Sequence, residues 1–240
     1  MDETLPAGLA YSLDSLNEGQ RKAVTFGGRH LLVLAGAGTG KTRTIVARAA
    51  YLIANGADPA KIQIVTFTKR AAAEIVSRVR SELPRNQAQA LRGSTFHSWC
   101  NQLLTKSPNL FGVKDFSVID EDDQHAIMKM ACGSKSLSYE GVRIKPLELL
   151  EYYSFARNTR RNLSGMIKIK VFNDDDSEET AGKVEAFRLL MKPIFETYEQ
   201  KKKERRYLDY DDMLQIVAAR LKGDEEARDI IGAQYEHILV

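Results

Sequence analysis

The chain is poor in cysteine, has no long apolar run and carries almost no net charge. Each absence narrows what it can be. Only two cysteines occur, Cys100 and Cys132, without paired spacing. That excludes a disulfide framework or a cysteine-built metal cage, and it fits a reducing, cytoplasmic setting. No apolar stretch approaches the roughly 20 residues that cross a bilayer. The longest clean one covers only residues 31–35. The opening Met1-Asp2-Glu3 is acidic and lacks the basic-then-apolar layout of a secretory leader. Net charge is +3, from 35 Lys and Arg against 32 Asp and Glu. A total so small says nothing about polyanion binding; only its distribution can. Repeats and low-complexity tracts are absent.

What is there suits a globular protein of one large domain or two modest ones. The 240 residues are 43% hydrophobic, enough for a real core, and 28% charged. Charge is segregated. Acidic residues gather at 120–123 and 174–179, and basic residues at 69–70, 78–85, 157–161 and 201–206. Such clusters fit either a polyanion-binding face or solvated helix surfaces.

The first hundred residues alternate strand and helix. Leu31-Leu32-Val33-Leu34 is bounded by a glycine-rich stretch, as a buried parallel strand would be. Ile45, Val46, Ala49, Leu52 and Ile53 fall on one face of a helix that Asn55-Gly56 stops. Residues 62–67 read as a second strand. Ala72, Ile75, Val76 and Val79 line a second helix, closed by Pro84, and Ser94-Thr95-Phe96 reads as a third strand. This β-α-β-α-β order predicts a parallel sheet flanked by helices. From about residue 106 to 206 the pattern is mostly helical. One long helix is predicted from Lys183 to about Arg206, on the stripe Val184, Phe187, Leu190, Met191, Ile194 and Tyr198. A helix follows Asp209, and residues 237–240 read as another buried strand. A chain end inside an apparent strand suggests a piece of a longer protein.

The strongest chemistry lies in Ala35-Gly36-Ala37-Gly38-Thr39-Gly40-Lys41-Thr42, between a predicted strand and a predicted helix. Glycines let backbone N–H groups turn inward around phosphate oxygens, and the helix start adds its positive end. Lys41 can reach the β- and γ-phosphates, and Thr42 can ligate Mg²⁺. Ala35 stands where the strict pattern has Gly, a position that only has to be small. Upstream, Gln20 in Leu16-Asn17-Glu18-Gly19-Gln20 either completes a capping box with Asn17 or pairs its amide with an adenine edge. Arg43 is placed to lie against the base or to face solvent.

Ligands of open α/β sheets bind at the carboxyl ends of strands. Two segments stand there, Thr66-Phe67-Thr68-Lys69-Arg70 and Thr95-Phe96-His97-Ser98-Trp99. A threonine, an aromatic and cations could hold a nucleic-acid backbone and stack a base. Phe67 and Trp99 could equally be core, and His97 structural. In Leu208-Asp209-Tyr210-Asp211-Asp212, Asp209 as N-cap with Asp212 at N3 accounts for the carboxylates without a ligand.

Taken in order, these motifs resemble the UvrD/Rep-type helicases of superfamily 1A, and the resemblance spans nearly the whole chain. It covers the adenine motif at 16–20, the phosphate loop at 35–42, the segments at 66–72 and 95–100, and the acidic-aromatic motif at 209–213. It also takes in the entry to a helical insertion at 116–124 and the strand at 235–240. The resemblance implies a RecA-like P-loop domain with a parallel sheet, incomplete here. Its first part would span 1–105, an inserted mostly helical subdomain 106–206, and the return to the sheet 207–240. It implies that Gln20 and Arg43 contact adenine, and that the loop from Ala35 to Thr42 holds ATP and Mg²⁺. Lys41 and Thr42 would be the catalytic members. Thr66, Phe67, Thr95, His97 and Tyr210 would line a path for single-stranded DNA at single/double-strand junctions. The implied activity is ATP-dependent 3′–5′ DNA unwinding in repair or replication restart. The carboxylate pair that would position Mg²⁺ and water is expected just past Val240, so this chain by itself is expected not to hydrolyse ATP. The usual Asn after Thr-Phe-Thr is replaced by Lys69. A helicase-nuclease of AddA/RecB type and a non-enzymatic, nucleotide-gated DNA-binding module are the alternatives.

Overall fold

A computed structural model describes residues 7–133, 137–139 and 142–240. In chain order the elements are α1 (Ala7–Asp14), α2 (Glu18–Val24), α3 (Lys41–Ala54), β1 (Ile62–Thr66), α4 (Lys69–Glu82), β2 (Arg92–Thr95) and α5 (Phe96–Lys106). Then come α6 (Pro108–Phe111), β3 (Ser117–Val118), α7 (Glu121–Cys132), β4 (Leu137–Tyr139), β5 (Val142–Ile144), α8 (Pro146–Thr159) and α9 (Leu163–Phe172). The chain closes with α10 (Glu178–Glu204), β6 (Tyr207–Leu208), α11 (Tyr210–Gly223), α12 (Glu225–Gly232) and β7 (His237–Leu239). This is a mixed α/β protein, mostly helical, with parallel strands. It forms two compact units, one of residues up to Leu103 together with Arg220–Val240, the other Leu104–Ala219. Among the described residues no helix is long and apolar enough to cross a membrane.

The first unit is organised on β1. Its residues from Ile62 to Val65 are all buried. It pairs in parallel with β2 on one edge and β7 on the other, so Ile64 lies opposite both Gly93 and Leu239. The stripes predicted for the first two helices supply the cover. Val46, Ala49 and Ile53 of α3 join Ile75, Val76 and Val79 of α4 around Ile62 and Ile64. Full burial of a side chain such as Ile64 contributes about 1.5–3 kcal/mol. Local signals end these helices as expected. Asn55 caps α3 and Gly56 takes a φ of +94°, and α4 ends at Glu82, just before Pro84. Thr68, not anticipated as a cap, starts α4 by accepting the Ala71 N–H at Oγ1, at 3.1 Å.

Three expectations need correction. Leu31-Leu32-Val33-Leu34 forms no strand, and Leu32 and Leu34 are 83% and 88% exposed. A strand needs a neighbour for its N–H and C=O groups, and among the described residues the sheet ends at β7. For the same reason β7 is not buried. Among the described residues only one of its edges is paired, and Ile238 is 47% exposed. Finally, α10 starts at Glu178 rather than at Lys183. Ser177 caps it by accepting from Thr180 N at 3.2 Å, and Glu178 and Glu179 sit favourably at the positive end of the helix.

The second unit packs α7, α8, α9 and α10 around Met128, Leu149, Met166, Ile167, Phe187, Met191 and Tyr198. A short parallel pair, β3 with β6, holds Ser117 beside Tyr207.

Gly93 tests the packing of the first unit. A Cβ there would come within 3.0 Å of Val76 Cγ2 and 3.1 Å of the Ala72 carbonyl oxygen. The carbonyl cannot swing aside without disturbing α4, so Gly93→Ala is expected to cost about 1–3 kcal/mol, read as a lower midpoint in urea unfolding.

Candidate nucleotide site and nucleic-acid interface

The glycine-rich loop closes onto the start of α3. Gly38 and Gly40 adopt φ of +75° and +85°, the left-handed region that a side chain resists. Gly40 is the N-cap, and the first helical bond runs from Thr44 N to Gly40 O at 3.0 Å. The amides of Lys41, Thr42 and Arg43 therefore precede the helix's own ladder and point out of its positive end. Lys41 Nζ donates to the Gly36 carbonyl at 2.6 Å, and Thr39 Oγ1 donates to the same oxygen at 2.8 Å.

Gln20 meets this loop directly. Its Nε2 donates to the Thr39 carbonyl at 2.9 Å. Its Oε1 accepts from Asn17 N at 3.0 Å, while its own N–H reaches Asn17 Oδ1 at 2.9 Å. The capping box is therefore present, and the amide that closes it also braces the phosphate loop. A Cβ on Gly40 would lie 2.8 Å from Gln20 Nε2, so the left-handed glycine also makes room for this brace. Arg43 donates to the Ser15 hydroxyl, which ties the start of α3 to the turn before α2.

At the carboxyl end of β1, Thr66 is half-buried and Phe67 is 86% exposed. The Phe67 ring lies 5.7 Å from that of Phe96, tilted by 52°. Thr95 is buried and committed to the start of α5. Its Oγ1 accepts from Ser98 N at 3.1 Å and donates to Ser98 Oγ at 2.9 Å. His97 is half-buried one residue into α5. Trp99 belongs to the packing: its Nε1 donates to Tyr235 Oη at 2.9 Å, and the rings meet edge to face. The structure thus brings Thr66, Phe67, Thr95 and His97 to one end of adjacent strands, and Gln20, Arg43 and the loop to the start of α3.

Tyr210 lies in the second unit, at the first residue of α11, and is 45% exposed. The carboxylates beside it cap each other. Asp209 N donates to Asp212 Oδ2 at 3.0 Å, and Asp212 N to Asp209 Oδ1 at 2.8 Å. Sequence reasoning missed Lys202, whose ammonium is buried against both aspartates. It was grouped with the basic run at 201–206. The signal was its spacing, for Lys202 continues the stripe of Phe187, Met191, Ile194 and Tyr198 by one more helical step of four. Burial pushes the Asp209 carboxyl up, but the Lys202 ammonium, the Asp212 N–H and Arg157 outweigh it and hold the group below its ordinary value.

Comparison with known proteins adds the family. Residues 16–240 match the family model described as UvrD/REP helicase N-terminal domain. The chain is 31% identical over 235 residues to "ATP-dependent DNA helicase UvrD1" of Mycobacterium tuberculosis, covering 95% of this chain and 28% of that protein. It is 34% identical over 236 residues to "Probable DNA helicase II homolog" of Mycoplasma capricolum, covering 95% and 30%. With "ATP-dependent DNA helicase PcrA" of Staphylococcus epidermidis the identity is 27% over 228 residues, covering 94% and 29%. The chain therefore spans less than a third of the length of these relatives.

The Asp209 environment carries a pH signature. A carboxyl whose folded value lies below its unfolded one contributes stability that is complete above the unfolded value, about 4, and is lost as pH falls through the folded value. Asp209→Asn should therefore lower stability at neutral pH and flatten its decline between about pH 5 and pH 3, as followed by urea unfolding at stepped pH.

Proposed function

The chain belongs to the UvrD/REP helicase N-terminal domain family, and from that premise we propose that it is the ATP-binding part of an ATP-dependent 3′–5′ DNA helicase. The observation that carries this is the loop at 35–42. Two left-handed glycines, a helix start with outward amides, and Lys41 and Thr42 at its first positions form a donor set that fits a triphosphate and its magnesium ion. Bound ATP would supply the free energy for movement along a strand. Lys41 would leave the Gly36 carbonyl for the β- and γ-phosphates, and Thr42 would hold Mg²⁺ through its hydroxyl. Gln20 and Arg43 stand next to this loop, and in this reading they would contact the base.

We read the first unit as a RecA-like domain and the second as its helical insertion. Support comes from the unpaired edge of β7 and the exposed apolar segment at 31–34. They flank a cavity of about 220 Å³ lined by Leu31, Val33, Ile238, Leu239 and Val240. A wider parallel sheet would cover both. Thr66, Phe67, Thr95 and His97 would meet single-stranded DNA at the strand ends, with Phe67 offering its exposed ring to a base. Tyr210 would do the same on the second unit, and junctions between single and double strands are the expected substrate of the whole protein.

Two variants test this. Lys41→Ala removes a charge-assisted contact and should weaken binding of a fluorescent ATP analogue with Mg²⁺ about tenfold or more, while the circular dichroism spectrum stays unchanged. Unaltered affinity would reject the site. Gln20→Ala separates the two roles of that residue. If its amide also reads adenine, affinity for ATP falls further than affinity for GTP. If it only braces the loop, both fall together. Adenine recognition predicts the first result.

A further inference from the structure

The most basic stretch of the chain, Lys201 to Arg206, conceals one lysine that is not at the surface. Lys202 is 2% exposed. Its Nζ lies 2.6 Å from Asp209 Oδ2 and 2.8 Å from Asp212 Oδ2, and sits 4.7 Å from the centre of the Tyr198 ring. Around this ammonium every carboxylate oxygen of the segment at 209–212 has a partner. Asp209 Oδ1 and Asp212 Oδ2 take the two capping N–H groups, at 2.8 and 3.0 Å. Asp212 Oδ1 meets Arg157 Nη2 at 2.8 Å. Asp211 Oδ1 accepts from Asn158 Nδ2 at 3.0 Å, and Oδ2 from Ser154 Oγ at 2.5 Å. Helices α8 and α10 thus grip all three aspartates, and the Tyr210 side chain among them is 45% exposed.

Burying an ammonium with two carboxylates is an expensive way to hold a helix start. Two buried charges seldom beat well-packed apolar groups of the same size, because desolvation consumes most of their attraction. Capping alone would also have served, since Asp209 and Asp212 already satisfy each other's N–H groups. What the ammonium adds is direction. It ties both ends of the capping turn to one point on α10 and fixes how α11 leaves the core.

We infer that Lys202 is a positioning residue, which sets the orientation of the 209–212 turn so that Tyr210 is presented to a nucleic-acid strand. This rests on the reading of Tyr210 as a strand contact. Lys202 itself touches no ligand; it acts through the two aspartates.

The full chain tests it. Lys202→Met alone leaves the Asp209 carboxylate buried without a bound cation and Asp212 with Arg157 only, so a companion variant adds Asp209→Asn and Asp212→Asn. The amide oxygens of those asparagines still accept both capping bonds. Binding of a fluorescein-labelled oligothymidylate is followed by anisotropy, and amide hydrogen exchange is measured at residues 210–213. Met166→Ala, in the same core, serves as a control that lowers stability without touching the turn. The companion variant should weaken binding about fivefold or more, as Tyr210→Ala does, with no further loss when the two are combined. Exchange at 210–213 should quicken, and Met166→Ala should bind as the parent does. Additive losses, or an equal loss in Met166→Ala at matched stability, would overturn the assignment. If Tyr210→Ala binds as the parent does, Tyr210 is not a strand contact, and exchange alone then decides. Faster exchange at 210–213 keeps Lys202 as the residue that orients the turn, and unchanged exchange refutes it.

Discussion

The first unit depends on one constraint: a strand's N–H and C=O groups must be paired. Among the described residues β1 alone in that unit meets it on both edges. It is also the strand whose residues are nearly all buried. The candidate site residues at the strand ends of this unit are arranged around it. β2 is aligned by pairing with it, so Thr66 and Thr95 stand in register, and their following residues emerge at the same end. The helices α3 and α4 cover the face of β1 that carries Ile62 and Ile64, which places the glycine-rich loop and the cap of α4 on that side of the sheet. The same constraint, unmet, explains the exposed run at 31–34 and the half-exposed β7.

Patterns set by neighbours a few residues apart were legible in the sequence. The stripes of α3 and α4, the stop at Asn55-Gly56 and the Asp209–Asp212 reciprocal cap all follow from local geometry. The phosphate loop was legible for a related reason: its glycines are demanded by its own backbone, whatever surrounds it. The failures share an opposite cause. Whether 31–34 becomes a strand depends on which residues lie beside it, and composition holds no record of that. Lys202 was hidden by its charged neighbours, although its helical phase was available. A lysine that extends an apolar stripe next to a pair of aspartates is a signal worth searching for.

Two residues for which sequence reasoning offered a ligand role, Gln20 and Thr95, have their polar atoms engaged within the protein. Gln20 uses its oxygen for the cap of α2 and its nitrogen for the Thr39 carbonyl. Thr95 spends its hydroxyl on α5. These commitments narrow the ways such residues can serve a ligand. A group already bound to loop backbone can report on that loop, because any movement of Thr39 must stretch or release the bond from Gln20. Phe67 is different. Its face is exposed, and stacking makes no demand on the hydrogen bonds around it.

The two kinds of group also differ in how firmly the protein holds them. Exposed rings such as Phe67 and Tyr210 could bind a ligand with specificity only if the backbone beneath them has one orientation, since a ring on a loose turn spends binding energy on ordering itself. Beneath Phe67 lies β1, paired on both edges, followed at once by the Thr68 cap of α4. Among the described residues only the two-stranded pair of β3 and β6 leads into Tyr210. A two-residue strand precedes it, too short to fix a direction by its ladder alone. The buried ammonium of Lys202 and its two aspartates supply the rigidity that a sheet supplies in the other unit. Charge is the costlier material for that purpose, but at the mouth of a helix it can bind several backbone-anchored groups to one point. That explains why a lysine fully withdrawn from water persists among neighbours that remain solvated.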